Sequence, residues 1–114
     1  MENKYNKMAL GLLEVDGVCA AFAAIDAAEK AGNIFIEAME RTRGGCNVCI
    51  KMRGDLTSIQ AAMDRAIAVA EEVSSAGTHT IIPAPAADTE YTLTYSNICL
   101  KGSSPKVRRE KTSL

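Results

Sequence analysis

Residues Met8-Ala-Leu-Gly-Leu-Leu-Glu-Val15 are apolar on both faces for most of their length, which predicts a central strand. Asp16-Gly17 then marks a turn or helix start. Over residues 18–31, Val18, Phe22, Ile25 and Ala28 recur at steps of four, three and three. That spacing predicts an amphipathic helix with those side chains as its buried stripe. Asp26, Glu29 and Lys30 lie largely off the stripe, and Gly32-Asn33 reads as a left-handed stop. Ile34–Glu40 is a second strand, followed by a basic loop at Arg41–Gly45. Asn47–Arg53 alternates, with Val48, Ile50 and Met52 on one face and Cys49, Lys51 and Arg53 on the other, which predicts a half-buried strand. Gly54-Asp55 opens a second helix, with Asp55 or Thr57 as N-cap and capping-box spacing between Thr57 and Gln60. Leu56, Ile59, Met63, Ala66, Ala70 and Val73 form its stripe, and Ser74–Gly77 ends it. Thr78–Ile82 is a fourth strand, stopped by Pro83 and Pro85.

The order β-α-β-β-α-β predicts an α+β, ferredoxin-like split βαβ domain. Two helices pack on one face of a four-stranded, mainly antiparallel sheet. Residues 1–88 form this domain and residues 89–114 a C-terminal extension. Within the extension, Tyr91–Leu100 reads as an added strand, and the Gly-, Ser- and Lys/Arg-containing end reads as a disordered basic tail.

Composition sharpens this picture in three ways. A chain of 114 residues with 4% aromatics and no Trp must build its core largely from Ala and aliphatics, which requires close helix approach. A domain this small gains from oligomerisation. The net charge of −1 gives no global case for nucleic acid, although Lys101, Lys106, Arg108, Arg109 and Lys111 stand against Glu110 alone at the end. The first residues lack a signal-peptide core, and no stretch of ~18 apolar residues occurs, so no membrane association is expected. The four cysteines then read as reduced thiols or metal ligands in a cytoplasmic protein.

Candidate chemistry centres on Arg41-Thr-Arg-Gly-Gly-Cys-Asn-Val-Cys49. Gly44 and Gly45 permit tight turns and close approach, and Cys46 offers a soft ligand on a bare loop. Arg41 and Arg43 would favour its thiolate. Cys46 and Cys49 have CxxC spacing, but a single-chain zinc site needs a second pair, and Cys19 and Cys99 are isolated. Residues three apart on a strand also face opposite sides. A thioredoxin-like motif opens a helix, whereas this one opens a strand. Cys19 and Cys99 read as structural, and His79 as an edge or core histidine. Asp26, Asp64, Glu71 and Glu72 read as solvated helix faces. With no Ser/His/Asp set, paired carboxylates or phosphate loop, the chain reads as a non-enzyme.

Four stretches carry a family resemblance. Met8-Ala-Leu-Gly-Leu-Leu-Glu-Val-Asp-Gly17, Ala27-Ala-Glu-Lys-Ala-Gly-Asn33, Arg53-Gly-Asp55 with its Ala-rich helix, and Ile81-Ile-Pro-Ala-Pro85 occur in the order of the bacterial microcompartment shell-protein domain, which residues 7 to about 88 resemble. The resemblance implies a structural protein of the bacterial cytoplasm. Its single-domain members form cyclic homohexamers that tile, with other shell proteins, into a sheet around encapsulated enzymes. By position, Arg43, Gly44, Gly45 and Cys46 form the pore loop, and Lys30 is the hexamer-edge lysine. Arg53 and Asp55 flank that edge or cap the second helix.

The loop departs from the common Gly-Ser-Gly pattern, and the segment leading to it is one residue longer. In this the chain is similar to divergent members of glycyl-radical-type compartments, which carry an iron–sulfur cluster at the pore. The resemblance makes Cys46 a candidate ligand shared between subunits. Two other readings stand beside it: a metal-free pore conducting small polar metabolites past Arg43, and a small redox or metal-handling protein using Cys46 and Cys49.

Overall fold

The structure, a computed structural model, describes residues 8–42 and 47–101, with side chains through residue 97. In chain order the elements are β1 (Ala9–Asp16), α1 (Val18–Ala31), β2 (Ile34–Arg41), β3 (Asn47–Gly54), α2 (Leu56–Val73), β4 (Ala76–Ile82) and α3 (Ala87–Lys101). The sheet runs β2-β3-β1-β4, and every neighbouring pair is antiparallel. This is the split βαβ order, with β3 lying between β1 and β2. The chain divides into two compact units, one ending at Pro85 and one starting at Ala86.

In the first unit the core lies between one face of the sheet and the helices α1 and α2. Leu13, Val15, Val48, Ile50 and Met52 supply the sheet side. The helices supply mostly alanine: Ala20, Ala21, Ala24 and Ala28 from α1, and Ala62, Ala66 and Ala70 from α2, beside Ile59 and Met63. The buried stripe of α1 therefore differs from the one its large residues suggest. Phe22 is 60% exposed, and Val18 and Ile25 only flank the core. Small side chains win that face because they let the two helices come close, which Phe22 would prevent. On α2 the middle of the expected stripe is buried, while Leu56 and Val73 at its two ends are exposed.

The helix ends also correct the reading from sequence. Asp55 is the N-cap of α2, its carboxylate accepting from the Ser58 backbone N–H at 2.9 Å, so Thr57 and Gln60 form no capping box. Gly17, which precedes α1, has φ 99 and ψ 157, a backbone region that essentially only glycine occupies. Gly32 is extended at φ −149 and ψ 162, not left-handed. It is small for another reason: a Cβ there would stand 2.5 Å from the Ser58 carbonyl oxygen. The end of α1 thus lies against the first turn of α2, backbone to backbone.

The segment Tyr91–Leu100, expected as an added strand, lies instead within the helix α3. Its threonines and tyrosines favour strands. Asp88 and Glu90 in the first turn complement the helix dipole, however, and the hydroxyls of Thr92 and Thr94 bond back to the carbonyls of Asp88 and Glu90. The residues read as a basic tail, from Gly102 on, lie outside the described residues.

Backbone angles at Gly32 suit alanine, and on chain entropy alone Gly32→Ala would stabilise by about 0.4–1 kcal/mol. Because the obstacle is a backbone carbonyl, we expect the opposite: a loss of about 1–3 kcal/mol, read as a lower urea midpoint at unchanged slope.

Candidate functional site

The hairpin formed by β2 and β3 carries the candidate loop, and its open end is tied twice. The Thr42 backbone N–H donates to the Asn47 carbonyl at 3.1 Å, and the Thr42 hydroxyl donates to the same oxygen at 3.2 Å. The candidate pore residues Arg43, Gly44, Gly45 and Cys46 fall between these two and lie outside the described residues. What the structure defines is the frame from which they depart.

That frame contains an extra residue. Ile36 faces Met52 and Ala38 faces Lys51, so Glu37 has no counterpart on β3. The bulge switches the alternation of β2. Before it, Ile34 and Ile36 point to the core; after it, Met39 does. Glu40 is thereby set on the face away from the helices, opposite Cys49.

On that outer face two ion pairs join β2 to β3. The Arg53 Nε–H donates to Glu37 Oε1 at 2.6 Å, with side chains 0% and 8% exposed. Lys51 Nζ lies 3.1 Å from Glu40 Oε1. Both cations are buried, so β3 is covered on both faces over much of its length, not half-buried as alternation suggests. Removing one partner of such a buried pair costs about 3–5 kcal/mol, because the other is left charged and dry. Sequence reasoning missed Glu37 and Glu40. The signal was present in the slip of apolar positions from Ile34 and Ile36 to Met39.

Cys49 sits on the same outer face and lines an open cavity of about 220 Å³ with Leu12, Glu14, Thr78, His79 and Thr80. Burial pushes its thiol pKa above the ordinary value of 9.0; Lys51 opposes the shift and the carboxylates of Glu14 and Glu40 add to it. A thiol held protonated is a weak nucleophile and a weak metal ligand. Cys19 is exposed in the first turn of α1, and His79 is exposed on the edge strand β4. Among the described residues, no group of three His, Cys, Asp or Glu side chains could hold a metal ion.

The remaining candidates separate. Lys30 stands in the last turn of α1, where a cation suits the dipole, and pairs with Asp26 at 2.8 Å on open surface (75% and 64% exposed). Such a pair adds little stability. Arg53 serves the β2–β3 pair and Asp55 caps α2, which gives both residues roles within one chain.

An antiparallel β2-β3-β1-β4 sheet with two alanine-lined helices on one face defines the class as an α+β split βαβ domain. The model of the BMC domain matches residues 9–85, and the chain belongs to that family of bacterial microcompartment shell proteins. It is 35% identical over 79 residues to the bacterial microcompartment shell protein PduK of Citrobacter freundii, covering 69% of this chain and 51% of PduK. The chain thus spans about half the length of PduK. It is 35% identical over 82 residues to PduA of the same organism, covering 72% of this chain and 87% of PduA. With EutM of Escherichia coli K12 it shares 34% identity over 97 residues, 84% of this chain and 95% of EutM. A crystal structure of a microcompartment protein from Desulfitobacterium hafniense DCB has the same fold, with a TM-score of 0.62 at 21% identity over 70% of this chain and 43% of that one.

The raised Cys49 pKa has a defined sign in stability. Its folded value lies above its unfolded one, so the folded thiol keeps its proton while the unfolded thiol loses it. The contribution of Cys49 to stability should be constant below about pH 9 and fall as pH rises beyond it, and Cys49→Ala should reduce the alkaline loss seen in urea titrations. At pH 8 a disulfide reagent should modify Cys19 before Cys49; equal rates would contradict the burial argument.

Proposed function

We propose that this protein is a non-enzymatic shell tile of a bacterial microcompartment, a cyclic homohexamer that assembles with other shell proteins around encapsulated enzymes in the bacterial cytoplasm. The observation that carries this reading is the BMC-domain match over residues 9–85, with relatives named as shell proteins. The fold supports it physically. A 114-residue chain with an alanine core stabilises itself best by burying further surface against copies of itself. No helix among the described residues is long and apolar enough to cross a membrane.

The loop Arg43–Cys46 lines the centre of the ring in this reading. The doubly tied Thr42–Asn47 step supports it, because a rigid hairpin base presents a short loop to a symmetry axis. Six copies would gather six Cys46 thiols around one axis, a donor set that suits an iron–sulfur cluster. Arg41 and Arg43 would favour the thiolates and offset the cluster's charge. When bound, the group would supply one-electron exchange at the pore, for electron transfer or redox sensing. A four-ligand cluster on six equivalent positions breaks the symmetry and leaves other thiols free. Without a cluster, the same loop is a plain metabolite pore.

The test is iron and acid-labile sulfide content, with a visible spectrum and native mass, on oligomer purified without oxygen. Iron and sulfide are expected in the wild type and lost in Cys46→Ser while the hexamer persists. Hexamer without iron or sulfide, from cells replete in cluster assembly, would leave the metal-free pore. A monomer or dimer would overturn the tile itself.

Lys30→Ala tests the hexamer edge separately. We expect intact hexamers by native mass that no longer form sheets in electron micrographs. Unchanged sheets would return Lys30 to a solvated helix end.

A further inference from the structure

Irregular pairing in this sheet is confined to its two edge strands. β1 and β3, in the centre, pair through eight consecutive positions without a break, from Ala9 opposite Gly54 to Asp16 opposite Asn47. Within its paired span, each edge strand carries one residue more than the stretch of central strand it faces. On β2 the extra residue is Glu37. On β4, Leu13 faces His79 and Val15 faces Ala76, so Gly77 and Thr78 share the place opposite Glu14.

At each edge a side chain from the bulge is tied to the neighbouring central strand. The Glu37 carboxylate accepts from the buried Arg53 Nε–H at 2.6 Å. The Thr78 hydroxyl donates to Glu14 Oε1 at 2.8 Å. Two unrelated chemistries thus fasten the same irregularity at opposite ends of the sheet. Pairing resumes beyond each bulge with the register shifted by one residue.

An uninterrupted edge offers a ladder of N–H and C=O groups to which another strand can add. A bulge interrupts that ladder and increases the local twist, and inward-facing charge has the same effect. We propose that Glu37 and Thr78 are edge guards, whose bulges prevent strand addition by a second copy of this chain. A second copy is the relevant partner because its edges match in length and sequence. The crowding that makes the guard necessary rests on the proposed tiling; the guard itself rests on the sheet register. Contacts between copies are thereby left to side-chain surfaces.

Two double variants separate the bulge from its ion pair. Glu37→Leu with Arg53→Met keeps the chain length and so the bulge. Deletion of Glu37 with Arg53→Met removes the bulge, and both variants remove the two charges of the pair together. Sedimentation over a wide concentration range and infrared spectra are compared with the wild-type oligomer, whatever its size. We expect the deletion variant alone to form larger, concentration-dependent species with an intermolecular-sheet band. If both variants sediment as the wild type does, the bulge guards nothing. Should the deletion variant lack a folded circular-dichroism spectrum, β4 decides by the same readout: deletion of Thr78 against Thr78→Val, with association expected only for the deletion.

Discussion

The backbones of α1 and α2 approach so closely that only the smallest side chains fit between them, and the rest of the domain follows from this. Ala20, Ala24 and Ala28 on one helix and Ala62, Ala66 and Ala70 on the other are buried. Gly32, against the Ser58 carbonyl, sets the limit of the approach. Alanine contributes little transfer free energy by itself. Its advantage is that it loses no rotamer freedom and permits dense packing against Leu13, Val15, Ile50 and Met52 of the sheet. The larger apolar residues of α1 are displaced outward as a result, which is why Phe22 faces solvent in the single chain.

With one face of the sheet committed to this layer, polar organisation falls to the other. Arg53 with Glu37 and Lys51 with Glu40 stitch β2 to β3 there, and Cys49 lies in the same row. Buried ion pairs are poor sources of net stability, but breaking one is costly. Their effect is selective: any strand register that separates Arg53 from Glu37 is penalised. The bulge and the ion pair therefore define one arrangement of the hairpin base, with Met39 inward and Glu40 outward.

From β1 to β4 the element order, the sheet and the spans of α1 and α2 were legible in the sequence, because hydrophobic periodicity reports which face an element buries. Family membership was legible too, in four ordered stretches of unexceptional residues. What periodicity could not report was which of two plausible stripes on α1 wins, since this depends on how close the partner helix comes. It could not foresee Lys51 and Arg53 as buried, because their partners lie on another strand and are reached only after the shift at Glu37. The helix at Tyr91 was misread because its threonines and tyrosines favour strands, a weak preference that the acidic first turn at Asp88 and Glu90 opposes and that the hydroxyls of Thr92 and Thr94 satisfy by bonding back within the helix. Of the candidate site, the loop was legible as composition, and the tied base at Thr42 and Asn47 was not, since it requires the pairing register.

The lack of aromatic residues in the core has a spectroscopic consequence. The protein has no Trp, and of its three tyrosines Tyr91 and Tyr95 lie exposed on α3, while Tyr5 precedes β1. No tyrosine or tryptophan falls between Ala9 and Pro85. The alanine core is therefore nearly silent to near-ultraviolet absorption and fluorescence. Optical melts that follow tyrosine signal would read Tyr5 and the tyrosines of α3, and no tyrosine or tryptophan within the shell domain itself.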